Sequence, residues 1–107
     1  MIPNLELTIL RGLIQNEDYT RKVLPYVKDS YFESPTSRSI FSLCTEYFTQ
    51  YGGCPTREAL AIGAEGVEGV SEEEFRSIGE TLPLLFEGSD QNYDFLVDTT
   101  EGWCKER

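Results

Sequence analysis

The sequence has no histidine, a single methionine, a single tryptophan and only three cysteines, and no apolar run comes near the ~20 residues of a membrane span. Each shortage excludes something. Without histidine the commonest general base and metal ligand is missing. Cys44, Cys54 and Cys104 stand ten and fifty residues apart, with no Cys-x-x-Cys pair, so they supply no zinc ligand set and read as small hydrophobes with no redox role. No charged-then-apolar leader is present, and the expectation is a cytoplasmic chain. The glycines form no phosphate-binding loop: Gly63 to Gly69 reads GAEGVEG, where the two internal acids repel phosphate and no Lys-Ser or Lys-Thr follows. No nucleophile elbow or dinucleotide fingerprint occurs either. The acid trio Glu72, Glu73 and Glu74 points three ways around a helix and cannot converge on one substrate atom; at a helix start it complements the macrodipole. The chain is expected to catalyse nothing by itself and to hold no cofactor or metal.

Basic residues are scarce in one half. Residues 1–57 carry six acids and six bases, whereas residues 58–107 carry thirteen acids against Arg76, Lys105 and Arg107, which places the whole net charge of −10 in that half. Non-specific DNA binding is driven by clustered lysine and arginine, so the second half is no such surface. Two readings of the charge stand: a solvated acidic face, or a surface that steers a basic partner. A helix-turn-helix around Gly52-Gly53 fails on the same ground, since Arg57 is the one base between Gly52 and Arg76.

What is present is a folded core. Hydrophobic residues make up 39% and aromatics 12% of 107 residues, enough for one domain and too much for a disordered tail. Ser34 suits an N-cap and Pro35 the first helical position. Ile40, Phe41, Cys44, Tyr47, Phe48 and Tyr51 then recur at helical spacing along one face. Gly52-Gly53 closes that helix and Pro55-Thr56 opens the next. An earlier helix carries Ile9, Leu10, Leu13 and Ile14, with Gly12 costing ~1 kcal/mol that packing must offset. Asp18 is the expected cap of a second helix ending near Leu24, because of Pro25, and Tyr26 to Phe32 is a connector dropping two aromatics onto the core. Gly63 to Gly69 is read as a flexible loop. Ser71 and Glu74 form a capping box before Phe75, Ile78, Leu82 and Leu85, and Pro83, four residues after Gly79, predicts a kink or a stop near Leu82. Ser89-Asp90 is the expected cap of a last helix bearing Tyr93, Leu96, Val97, Thr100 and Trp103. That helix has no stop signal before Lys105-Glu106-Arg107, which fits either a chain that continues or a frayed end closed by bases. No segment alternates like a strand, so the fold class is all-α, an orthogonal bundle of about six short helices.

Tyr31-Phe32, Ile40-Phe41, Gly53-Cys54-Pro55 and Leu60, in this order, resemble the N-terminal domain of the DnaB-like hexameric replicative DNA helicases, in particular those of tailed bacteriophages. Leu5 to Ile14, Tyr19 to Tyr26, Phe75 to Leu85 and Tyr93 to Trp103 resemble that domain's first, second, fifth and sixth helices, so residues 1–107 correspond to it throughout. Arg38, where many relatives place histidine, and Pro83 depart from the pattern. The resemblance implies a non-catalytic collar domain of an ATP-dependent helicase. It implies self-association in a hexameric parent, docking of primase and of a helicase loader, and no strong nucleic-acid binding by this domain. ATP and Mg belong to an ATPase domain lying outside this chain. The surface expected to carry those contacts is Leu84, Phe86, Tyr93, Phe95, Val97 and Trp103, more large apolar groups than one small helical face buries. Trp103 leads that list, because tryptophan is enriched in interface hot spots; the competing reading is that Tyr93, Leu96 and Val97 finish the local core. The alternative function is a free-standing acidic phage protein that binds or inhibits a basic DNA-binding partner.

Overall fold

Helix α1 (Asn4–Gln15) buries Ile9, Leu10, Leu13 and Ile14 and lies at the centre of the molecule, against α2 (Glu17–Val23), α3 (Pro35–Tyr51), α5 (Glu72–Leu85) and α6 (Tyr93–Lys105). Helix α4 (Arg57–Glu65) packs on α3 and α5, and a 3-10 turn (Asp29–Tyr31) packs on α3. The computed structural model describes residues 4–66, 69–87 and 92–107, and among these every element is helical. The radius of gyration, 12.8 Å, matches the ~13 Å of a compact domain this long. No described helix is long and apolar enough to cross a membrane.

The helix starts follow local chemistry. The side chains of Ser34, Thr56 and Ser71 accept from the backbone N–H three residues on, which satisfies one of the free donors at each start. Gly52 ends α3 with φ 74, the left-handed geometry that costs glycine nothing. The cap of α2 is Asn16, not Asp18: the Asn16 carboxamide oxygen accepts from Tyr19 N at 3.0 Å, and Asp18 lies inside the first turn. The expected cap Ser89-Asp90 lies outside the described residues, and the residue that caps α6 is Asn92, through Phe95 N.

Two readings change at the later helices. Gly63, Ala64 and Glu65 belong to α4 instead of a loop. A Cβ at Gly63 would stand 3.0 Å from Leu43 Cδ2, so this glycine serves the close approach of α3 and α4. Pro83 does not stop α5, which continues to Leu85. An interior proline costs ~3 kcal/mol, but burying Leu82 and Leu85 returns ~1.5–3 kcal/mol each. The carbonyls of that last turn are also met from α1: Arg11 donates to Leu84 O from Nε (3.1 Å) and Nη2 (2.9 Å), and Gln15 Nε2 donates to Leu85 O at 2.8 Å.

A buried carboxylate fixes α1 to the start of α3. Glu6 is 1% exposed, and its oxygens accept from Glu33 N at 2.8 Å and Ser34 N at 3.5 Å. It faces the positive end of α3, where a helix favours negative charge. Arg38 secures the same corner from the other side, donating to Phe32 O at 2.8 Å and Glu33 O at 3.0 Å.

Candidate interaction surface

The residues expected to form one surface separate into three groups, and helical geometry explains how. On α6, Leu96, Thr100 and Trp103 share the inward face. Tyr93, Val97, Glu101 and Cys104 follow one another along the flank that turns towards α2. Phe95 lies on the remaining, outward side and is half exposed. Leu84 is exposed near the end of α5, while Phe86, the cap residue of α5, is partly buried against the core, as is Val97.

Trp103 is a core residue. It is 2% exposed, with the Phe32 ring 4.9 Å and the Tyr31 ring 5.9 Å away, the latter edge-on. The guanidinium of Arg107 stands 5.3 Å over its ring while holding Glu33 at 3.4 Å. The connector before α3 therefore buries the tryptophan. The aromatic pair Tyr31-Phe32 and the terminal Trp103 are two halves of one cluster, which continues through Phe41, 5.2 Å from Phe32. The indole Nε1 has no hydrogen-bond partner among the described residues, so its contribution is packing.

The concave feature that sequence reading missed is a groove between α2 and α6, of about 520 Å³, with walls of Val23 and Tyr26 on one side and Val97 and Cys104 on the other. Lys22, Glu101 and Lys105 form its rim. Pro25 leads the chain out of α2, and Tyr26 N and Val27 N both donate to Val23 O in the turn that follows. That turn sends Val27 into the core and leaves Tyr26 68% exposed beside the groove. The one signal for this in the sequence was the lone Tyr26 next to a proline, which is too local to reveal a wall that lies about 75 residues away from its partner helix in the chain.

Beneath the groove, Tyr19 OH and Thr100 Oγ1 share a buried hydrogen bond. Burial pushes the Tyr19 phenol up to about 12, against the lowering effect of that bond. Burial likewise raises the Cys104 thiol at the groove and pushes Cys44, inside α3, up to about 12. The thiols are therefore protonated and weakly nucleophilic at neutral pH. No group of three or more metal-ligating side chains occurs among the described residues. Lys105 pairs with Glu101 at 3.3 Å with both side chains largely in water, a contact of little energy.

Other exposed apolar groups lie apart from one another. Tyr51 packs at a tilt against Tyr47, 4.7 Å between ring centres, near the end of α3, Ile62 is exposed on α4, and Phe75 lies near the start of α5.

No family model matches the chain and no solved structure matches it. A relative does: over 99 residues, 92% of this chain, it is 30% identical to a DnaB-like replicative helicase of Enterobacteria phage T4. The match covers 20% of that helicase, so the chain spans about a fifth of the length of the curated relative it matches. The chain is thus similar along nearly all of its length to one region of a replicative helicase.

Proposed function

We propose that this chain is the N-terminal assembly domain of an ATP-dependent replicative DNA helicase, contributing to ring and collar formation and to primase docking at the replication fork, without catalysing a reaction itself. The observation that carries the reading is the 30% identity with a DnaB-like replicative helicase, over 99 residues and 92% of the chain. Features consistent with an assembly domain are a well-packed helical core, the half-exposed apolar side chains of Leu84, Tyr93 and Phe95, and a groove between α2 and α6. ATP and Mg would be bound by an ATPase domain elsewhere in the parent, and self-association, primase and helicase loader are its proposed partners. The excess of acids over residues 58–107 fits a domain that does not itself grip phosphate.

The test starts at the gene. The reading frame past the codon for Arg107 should reach a strand followed by Gly-x-x-x-x-Gly-Lys-Ser/Thr, and removing residues 1–107 from that polypeptide should weaken hexamer formation and abolish stimulation by primase. A stop codon after Arg107, or a deletion that leaves ring assembly and primase response unchanged, would overturn the proposal. In the first case the free-standing acidic inhibitor takes its place, a protein whose binding to a basic partner must fall steeply with salt.

A further inference from the structure

We infer that the groove between α2 and α6 docks an amphipathic helix of a partner protein whose apolar stripe is flanked by acidic residues. The inference rests on the groove and its charges and not on the helicase reading, so either can fail without the other.

The groove is apolar at its centre and charged only at its rim. Val23, Tyr26, Val97 and Cys104 make the walls. Of the two hydroxyls in the lining, that of Thr100 is already engaged by Tyr19, and the other belongs to Tyr26, 68% exposed at the groove's edge. A polar metabolite needs donors and acceptors converging on one point, whereas here the charged groups sit at the rim and the walls between them are apolar. Apolar side chains projecting at i, i+3, i+4 and i+7 from a helix need only such a trough.

The rim decides the sign of the partner. The chain has three lysines and a net charge of −10, yet two of the three, Lys22 and Lys105, border this groove. They stand on opposite sides of it, one on α2 and one on α6. Among the described residues Lys22 makes no ion pair, and Lys105 has only the exposed contact with Glu101. A guest carboxylate can therefore replace Glu101 as partner of Lys105 and find Lys22 free. A second copy of this chain is a poor occupant. Two molecules at −10 repel.

The test is a titration of the isotope-labelled 107-residue chain, followed by amide shifts, with two synthetic peptides of about 16 residues, a length at which an isolated helix is marginally stable. Both carry the same leucine stripe; one is flanked by glutamate and the other by lysine. The acidic peptide should shift signals around Val23, Tyr26, Val97 and Cys104 and bind about tenfold tighter than the basic one, although the net charge of the chain favours the reverse. The double variant Lys22→Glu, Lys105→Glu, at two exposed positions, should invert that order, and Tyr26→Ala should weaken both peptides while leaving the circular dichroism unchanged. Equal or tighter binding of the basic peptide overturns the inference. So does an absence of binding, or shifts confined to another face. Concentration-dependent shifts at the groove without peptide would make a second copy the occupant and overturn it as well.

Discussion

A methyl group at position 12 would sit 2.8 Å from Cε2 of Tyr19 and 3.4 Å from Cδ1 of Leu96. The ring cannot retreat, because Tyr19 is fully buried and its hydroxyl is held by Thr100. Alanine gains ~1 kcal/mol of helix propensity over glycine, but overpacking a rigid core costs ~1–3 kcal/mol. Gly12→Ala should therefore destabilise the domain by about 1 kcal/mol in urea unfolding. Gly102→Ala, in α6 where a Cβ meets nothing within 4 Å, should stabilise it by ~0.5–1 kcal/mol; equal effects at the two sites would contradict the packing argument. The raised pKa values make a second prediction at this scale. Tyr19 moves from 10.0 to about 12 and Cys44 from 9.0 to about 12. The unfolded chain thus loses these protons first, so the folded state binds more protons than the unfolded one in that window. Stability should be intact below pH 9 and fall as pH rises from about 9 to 12, by up to ~1.4 kcal/mol per pH unit for each group. Tyr19→Phe should flatten the part of the decline above pH 10, as read from urea midpoints across the pH series.

At the scale of elements, α5 shows how one helix can supply what another lacks. It carries an interior proline, and its cap residue is Phe86. Its final carbonyls are satisfied by Arg11 and Gln15, more than 70 positions earlier for Arg11 and 70 for Gln15. The Arg11→Ala, Gln15→Ala double variant should cost about 1–2 kcal/mol, since hydrogen bonds from charged donors exceed the ~1 kcal/mol of neutral ones but these are partly exposed. The loss should be local, with amide exchange in the last turn of α5 rising before that of α3. A uniform rise across all helices would mean that α5 has no end-capping of its own to lose. The opposite corner works by the same logic with the sign reversed: Glu6 supplies a carboxylate to the start of α3, and Arg38 closes the connector ahead of it.

At the scale of the whole molecule, charge and apolar surface are distributed unevenly. Thirteen acids over residues 58–107 repel one another while the first half is neutral, so added monovalent salt should raise the melting temperature by screening. The isolated chain is expected to be a 12.2 kDa monomer by light scattering, since the exposed Leu84, Tyr93 and Phe95 are few and its net charge opposes self-association. A stable ring formed by this chain alone would contradict that. The three readouts separate cleanly, because melting reports self-repulsion within one chain, scattering reports association, and the peptide titration reports the groove.

The sequence by itself determined the all-α class, most helix limits and most of the core, because caps, glycine turns and 3.6-residue periodicity act over a few residues. Ser34-Pro35, Gly52, Thr56 and Ser71 all do locally what their chemistry dictates. The tertiary structure alone decided the rest. Whether Pro83 ends a helix depended on the burial of Leu85 and on donors from α1. Whether Gly63 loosens a loop or admits Leu43 depended on where α3 lies. Trp103 and Tyr26 exchanged the places that composition would assign them, the tryptophan enclosed by Phe32 and Tyr31 and the tyrosine left at a groove wall. Exposure is a property of what two distant segments place against each other, and no local pattern encodes it.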